Sequence, residues 1–227
     1  MTNLLTKFIA KLKFFLPVPF KTYLKKYKKF NGYMLDEQML NYINYKNGFY
    51  IECGANDGVN QSNTWYFERT LKWNGLLIEP IPLIFKELKK NRNKKNFFYC
   101  TALRSFQYKK KYLDLNFSKR DTLTTRSVAD AMERVKIRVK CTHLNEILNK
   151  IKAPNIIDFF SLDVEGDELE VLGGINFKKY KFKFLLIESG NFLKLNKILI
   201  KHKYIFVKKL SEGSVYSDYL FKYNVSI

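Results

Sequence analysis

Four acids close short apolar runs in this chain. Glu52 follows Phe49-Tyr50-Ile51, Glu79 follows Gly75-Leu76-Leu77-Ile78, Asp163 ends a run that begins at Ile156, and Glu188 ends one that begins at Phe182. Short, nearly continuous apolar runs read as strands buried on both faces of a parallel sheet. Four such strands would set four carboxylates along one sheet edge, where like charges cost free energy unless a cationic ligand or a metal ion offsets them. The first run breaks into Cys53-Gly54-Ala55-Asn56-Asp57-Gly58. A strand that ends in a glycine turn exposes backbone N–H groups where α/β proteins hold nucleoside-like ligands.

The turn excludes two common phosphate binders. No Gly-Lys-Ser/Thr follows it to hold a triphosphate and magnesium, and Asn56 stands where a dinucleotide fingerprint needs its second glycine. An acid-bearing turn suits instead a ligand with a cationic end and no phosphate. S-adenosylmethionine is such a ligand: its amino group and sulfonium seek electron-rich partners, and its ribose hydroxyls donate to an acid. Glu79 lies 21 residues after Gly58, close to the roughly 20 at which doubly wound folds place a ribose-binding acid.

A second acidic cluster, Asp163-Val164-Glu165-Gly166-Asp167-Glu168-Leu169-Glu170, holds five acids. Asp167, Glu168 and Glu170 suit the first turn of a helix, whose dipole favours negative charge. Asp163 and Glu165 precede that turn, at the strand's carboxyl end, and are candidates for ligand contact and for a catalytic base. Asp163 with Glu188, and with Glu165 and Asn191 nearby, would make a hard oxygen-rich site for Mg²⁺ or Mn²⁺. The alternative for Glu188 is a capping or structural partner at the sheet edge. His143 follows a strand and opens a helix, where it could face the pocket as a base or act as a surface or capping residue. His202, between Lys201 and Lys203, is expected to be solvated.

These residues need a frame to hold them. Further strands are expected over 96–103, 135–141, 204–210 and 217–223, and helices over 62–71, 82–91, 143–151 and 191–203. Ser62 would cap the first helix, and Pro82 suits the first turn of the second. Residues 104–134 read as a polar, irregular insertion on the acceptor side. Alternating strands and helices, closed by a pair of strands around Ser211-Glu212-Gly213-Ser214, point to an α/β fold.

Composition bounds the rest. A chain of 227 residues fits one domain of ordinary size, and no apolar run reaches the 18 or so that span a bilayer. Cys53, Cys100 and Cys141 are far apart and odd in number, so neither a disulfide framework nor a metal cluster is expected and a reducing cytoplasm is. The segment 1–16 has no uninterrupted apolar core and no small-residue cleavage site, so no signal peptide is expected. The net charge is +20, yet of 41 basic residues only seven are arginine, the residue that phosphate and base recognition favour. A solvated lysine surface is the first reading. Polyanion binding and attraction to the anionic inner face of a membrane are the others. The basic segment 21–29, beside Phe14, Phe15, Phe20, Tyr23 and Tyr27, reads as a helical extension over 1–35, packed on the domain or lying at an interface.

Three stretches resemble one family. Glu52-Cys53-Gly54-Ala55-Asn56-Asp57-Gly58 through Thr64, Leu76-Leu77-Ile78-Glu79-Pro80-Ile81-Pro82, and Ser161 through Ile175 with its Asp-Val-Glu-Gly-Asp-Glu-Leu-Glu-Val-Leu core are similar to FkbM methyltransferases, over roughly 36–187. The resemblance implies a class I Rossmann-like methyltransferase fold over 36–227: a mostly parallel seven-stranded sheet, helices on both faces and a C-terminal antiparallel hairpin. It implies an S-adenosylmethionine-dependent O-methyltransferase acting on a hydroxyl of a sugar, from a nucleotide-sugar or surface-polysaccharide precursor. By position, Glu52, Gly54, Ala55, Asn56 and Asp57 would form the cofactor loop, with Asp163 also at the cofactor. Ser62 and Thr64 would open the next helix, Glu79 would hold the ribose, and Ala102 would lie near the adenine. A nucleic-acid methyltransferase is the alternative that the charge allows. Against it, Asp-Val-Glu-Gly stands where base-flipping enzymes carry a polar-Pro-Pro-aromatic grip.

Overall fold

The computed structural model describes residues 35–118 and 134–224. The expected N-terminal extension, save its last residue Leu35, lies outside the described residues, as does the centre of the insertion, 119–133. A short helix α1 (Leu35–Met39) leads to β1 (Phe49–Cys53), α2 (Trp65–Leu71), β2 (Asn74–Ile78), α3 (Pro82–Asn91) and β3 (Phe97–Tyr99). After β4 (Ala102–Leu103), β5 (Tyr112–Ser118) and β6 (Arg134–Thr142) come α4 (Leu144–Lys150), β7 (Ile156–Leu162), α5 (Glu168–Leu172), β8 (Lys181–Ser189), α6 (Phe192–Lys201), β9 (Tyr204–Lys209) and β10 (Ser217–Tyr223).

Seven strands form one sheet in the order β3-β2-β1-β7-β8-β10-β9. The first five are mutually parallel, and β10 runs antiparallel between β8 and β9. This is the mostly parallel sheet with a C-terminal antiparallel hairpin that the sequence predicts. Period-two alternation sends successive side chains to opposite faces. Ile51, Cys53, Phe160, Leu162, Leu185 and Ile187 share one core with Leu144 and Leu148 of α4, Val171 and Leu172 of α5, and Leu195 and Leu199 of α6. On the other face Phe67 of α2 meets Phe159 edge-on, with ring centroids 5.4 Å apart, and stacks on Trp73 at 5.1 Å. Each such ring, fully buried, is worth about 1.5–3 kcal/mol.

The expected strand over 96–103 is two strands in two sheets. Only Phe97–Tyr99 pairs with β2, at the sheet edge. The chain then leaves that edge, and Ala102 and Leu103 pair in parallel with Cys141 and Thr142 of β6. The insertion is likewise more regular than expected: β5 and β6 form an antiparallel ladder from Tyr112↔Lys140 to Ser118↔Arg134. Its apolar face packs Leu115 and Ile137 on Ile81 and Ile84, at the entry to α3.

Helix α2 begins at Trp65, three residues after the expected start. The Ser62 hydroxyl still accepts from the Trp65 N–H at 3.1 Å. Asn191 caps α6 by accepting from the Lys194 N–H at 3.0 Å. His202 is exposed, as expected, and one face of its ring stacks on Phe177 with ring centroids 4.2 Å apart.

Candidate active site

The strand order reverses between β1 and β7, and in open α/β sheets the crevice beyond such a reversal is where ligands bind. A cavity lies there. Cys53 at the end of β1 and Gly54 after it, Glu79 after β2, and Asp163 and Glu165 after β7 line it. Thr101 and Ala102 form one side, and Leu113 and Leu115 of β5 lie across it.

The turn after β1 is held from both ends. The N–H groups of Gly54 and Ala55 donate to the Ile78 carbonyl at 3.1 and 3.0 Å, which ties the turn to β2. Gly54 has φ +79°, and a Cβ there would stand 1.7 Å from the Asp163 carbonyl oxygen. Gly54→Ala therefore combines a positive-φ penalty of about 1–2 kcal/mol with a backbone collision that must push β1 and β7 apart at the cavity floor. Urea denaturation should show a loss larger than the φ penalty alone, together with loss of S-adenosylhomocysteine binding. Asp57 shapes the rest of the turn, accepting from the N–H groups of Val59 at 2.9 Å and Asn60 at 2.8 Å.

Glu79 is buried at the cavity wall. Its carboxylate accepts from the Asn56 N–H at 3.1 Å and the Ile81 N–H at 2.9 Å, which fixes both oxygens. Burial pushes its pKa up to about 7, against the pull of those two donors. An acid raised this way makes its contribution to stability fully below its unfolded value and loses it as pH rises through about 7. A ligand whose hydroxyls donate to Glu79 has the opposite dependence, because it needs the ionised form. Affinity for S-adenosylhomocysteine is expected to fall by up to about tenfold per pH unit below 7, with part of that slope lost in Glu79→Gln. Calorimetric titration from pH 5.5 to 8.5 checks this.

Asp163, Glu165 and Glu188 each offer a carboxylate oxygen within 4.8 Å of the others. Burial and then the charge of Glu188 raise the Asp163 pKa well above the carboxylate range, and the two side chains share a hydrogen bond. Burial, with Glu165 and Asp218 adding negative charge, pushes Glu188 up to about 7. Asp218 pairs with Glu188 across β10 and β8 and is itself held by the Ser211 hydroxyl. In the free protein this cluster is therefore protonated in part at neutral pH. A cation placed against it would return it to the ionised, proton-accepting form.

Several predicted residues stand elsewhere. Glu52 is one residue inside β1, so the pleat turns it to the α2 face, away from the cavity. Its oxygens accept from the Ser62 hydroxyl at 3.0 Å, the Thr64 hydroxyl at 2.6 Å, the Asn63 N–H at 2.7 Å and Arg92 Nη1 at 3.2 Å. The expected edge of four carboxylates is thus three, from Glu79, Asp163 and Glu188. Glu52, Ser62 and Thr64 build the turn, while Ala55 and Asp57 shape it without lining the cavity; Gly54, Asn56, Glu79, Ala102 and Asp163 do line it. His143 does not line it either: its Nδ1 lies 3.1 Å from the Arg104 carbonyl, and its ring packs on Phe106.

Arg92 was not singled out in the sequence, yet it organises this region. Fully buried just after α3, it donates to Glu68 at 2.9 Å, Glu52 at 3.2 Å, the Tyr50 hydroxyl at 2.7 Å, the Thr64 hydroxyl at 2.9 Å and the Gly58 carbonyl at 3.2 Å. The neighbouring acids raise its pKa despite burial. A signal was available: an arginine inside the lysine-rich run 86–95 of a lysine-dominated chain marks a place where the planar fork is needed.

The reversed strand order, the C-terminal hairpin and the cavity beyond β1 and β7 define a Rossmann-like methyltransferase fold. The chain belongs to the family of the methyltransferase FkbM domain, whose sequence model matches residues 52–206. Its fold is similar to that of the METTL16 methyltransferase domain, with a TM-score of 0.52 at 14% identity, over 84% of this chain and 65% of that one. It is also similar to a methyltransferase FkbM from Methylobacillus flagellatus KT, with a TM-score of 0.50 at 15% identity, over 78% of this chain and 44% of that one. The chain thus spans less than two thirds of each. No curated protein sequence matches it.

Proposed function

We propose that the chain is an S-adenosylmethionine-dependent O-methyltransferase acting on a sugar hydroxyl of a nucleotide-sugar or polysaccharide precursor. The observation that carries this reading is the acidic cavity of an FkbM-family chain, where Glu79 is fixed to accept hydroxyl donors, Asp163 and Glu165 line the space, and Glu188 offers a third carboxylate oxygen within 4.8 Å of theirs. The residues fit the cofactor: Glu79 would accept from its ribose hydroxyls, Gly54 and Asn56 would hold it on the turn side, and Thr101 and Ala102 would flank its adenine. When bound, S-adenosylmethionine supplies an activated methyl on a cationic sulfur.

The protein's task is then alignment and proton removal. Holding the acceptor oxygen in line with the methyl can supply much of the acceleration, and β5 lies across the cavity where it can confine the acceptor. Asp163 accepts the hydroxyl proton, with Glu165 beside it as the second candidate. A divalent cation on Asp163 and Glu188 is a second proposal, favoured by the closeness of the three carboxylates. It would lower the hydroxyl pKa directly.

Titration with S-adenosylhomocysteine, with and without Mg²⁺, tests the reading. Micromolar binding is expected, and no binding to the folded protein would sink it. Activity that survives exhaustive chelation would remove the metal and assign the carboxylates to the cationic ligand and the base.

The net charge of +20 favours one further reading, methylation of a nucleic acid. Polynucleotide binding through six to ten phosphates should weaken by about 10³–10⁵ between 50 and 200 mM salt, whereas a small acceptor should not show that slope. Among the described residues no helix is long and apolar enough to cross a membrane. We place the protein in the cytoplasm, with its basic N-terminal segment available to an anionic membrane face; co-sedimentation with anionic vesicles tests that contact.

A further inference from the structure

S-adenosylmethionine has its parts in a row: adenine, ribose, sulfur and an amino-acid tail. The cavity offers matching groups in a row. Thr101 and Ala102 come after β3, Glu79 after β2, the Gly54 turn after β1, and Asp163 and Glu165 after β7, and these strands are neighbours in the order β3-β2-β1-β7. With adenine beside Thr101 and ribose at Glu79, the tail falls over the ends of β1 and β7. It carries an ammonium and a carboxylate, which need opposite surroundings. The ammonium suits Asp163 and Glu165. The carboxylate is repelled by the same acids and has to turn toward hydrogen-bond donors.

Donors are scarce there. Among the described residues that line the cavity there is no lysine, and the one arginine, Arg104, is engaged with Asp167 at 2.8 Å. Asn56 belongs to the ribose side: its N–H donates to Glu79 and its side-chain oxygen accepts from the Asp57 N–H at 2.8 Å. Asn60 gives its Nδ2 to Asp57 at 2.5 Å. Gln61 lines the cavity, is exposed, and has no partner for its side-chain amide among the described residues. Its backbone is in the left-handed region, with φ +58°, a conformation that costs free energy for a residue with a Cβ. Both neighbours hold it there. The Asn60 N–H donates to Asp57 at 2.8 Å, and the Ser62 hydroxyl donates to Glu52 at 3.0 Å while accepting from Arg92 at 3.0 Å. Backbone strain imposed by the surroundings in this way is a mark of ligand-binding positions.

We infer that Gln61 holds the carboxylate of the cofactor's amino-acid tail through its side-chain N–H donors. This rests on the methyl-transfer reading and gives the lip of the cavity a part in choosing the cofactor. A nucleoside thioether without the tail leaves Gln61 unused.

Calorimetric titration of the full chain at pH 8 compares S-adenosylhomocysteine with 5′-methylthioadenosine, which has the adenine, ribose and sulfur but no tail. Gln61→Ala should weaken S-adenosylhomocysteine by about tenfold, the lower end of what a hydrogen bond to a charged group contributes, and leave 5′-methylthioadenosine within about twofold. Gln61→Glu sets a like charge beside the carboxylate and should weaken S-adenosylhomocysteine further. Gln61→Gly removes the Cβ from a positive-φ position, so it should be no less stable in urea than wild type and still lose affinity as the alanine variant does. Unchanged S-adenosylhomocysteine affinity in these variants overturns the inference. Tighter binding by Gln61→Glu also overturns it, because Gln61 would then face the ammonium; the sign of that effect decides even where 5′-methylthioadenosine binds too weakly to measure. Equal loss of both ligands would show that Gln61 acts only through the shape of the turn. If the wild type binds no S-adenosylhomocysteine, the methyl-transfer reading falls and the inference falls with it.

Discussion

Arg92→Met is expected to destabilise the protein by about 3–5 kcal/mol, the usual cost of removing one partner from a buried, hydrogen-bonded ion pair. The guanidinium and the carboxylates of Glu52 and Glu68 are all at most 4% exposed, so the two acids would be left charged in the interior. Glu68 is the more exposed to this loss. Burial alone would raise its pKa, and Arg92 with the Asn93 N–H and the Tyr50 and Asn96 side chains brings it below the ordinary value. A lowered acid contributes stability above its unfolded pKa and loses it as pH falls through the folded one. Without Arg92 that acid-side dependence should weaken or reverse. Chemical denaturation of wild type and variant at pH 3.5, 5 and 7.5 measures both effects. A loss under 1 kcal/mol would show that the network holds without its cation. The damage should reach the cavity, because Arg92 also ties Gly58 and Thr64, the two ends of the segment that follows the glycine turn after β1.

The second large effect is on chemistry. Asp163→Asn keeps the shape and a hydrogen bond to Glu188 but cannot take a proton, so turnover should fall by about 10²–10⁴, the range of a general base. S-adenosylhomocysteine affinity should change far less than turnover, which separates a lost base from a lost pocket. Stability should move in the opposite direction to activity. Asp163 and Glu188 are both raised acids, so their stabilising share is complete below about pH 4 and is lost as pH rises toward and through 7. The amide removes one charge from that pair, and the variant should be the more stable of the two at pH 8. Turnover within threefold of wild type would move the role to Glu165, for which Glu165→Gln is the matching variant.

Much of the frame was legible because it depends on local order. Phe49-Tyr50-Ile51, Leu76-Leu77-Ile78, the run from Ile156 and Leu185-Leu186-Ile187 are apolar enough to read as parallel strands buried on both faces, and each is one. The small sheet was harder to read. Residues 96–103 look like one strand by composition, and only the departure of the chain after Tyr99 to pair Ala102 with Cys141 divides it. Leu113, Leu115 and Phe117 alternate with polar residues on β5, a period-two signal masked by the lysines before it.

For the site, the chain alone determined the chemical inventory: a glycine turn after the first strand, Glu79 at its interval, Asp163 just past the strand that ends at Leu162, and Glu188 next to last in the strand that ends at Ser189. Tertiary structure decided which of these acids meet. A side chain at a strand's end is aimed by the pleat, and a shift of one residue reverses it. Glu52 sits one position too early and faces Arg92, while Asp163, just past its strand, faces the cavity. Arg92 and Glu68 acquire their roles from each other, 24 residues apart in the chain. No local periodicity encodes such pairings, because burial supplies the energetic reason for them and burial exists only once the sheet has closed over the helices.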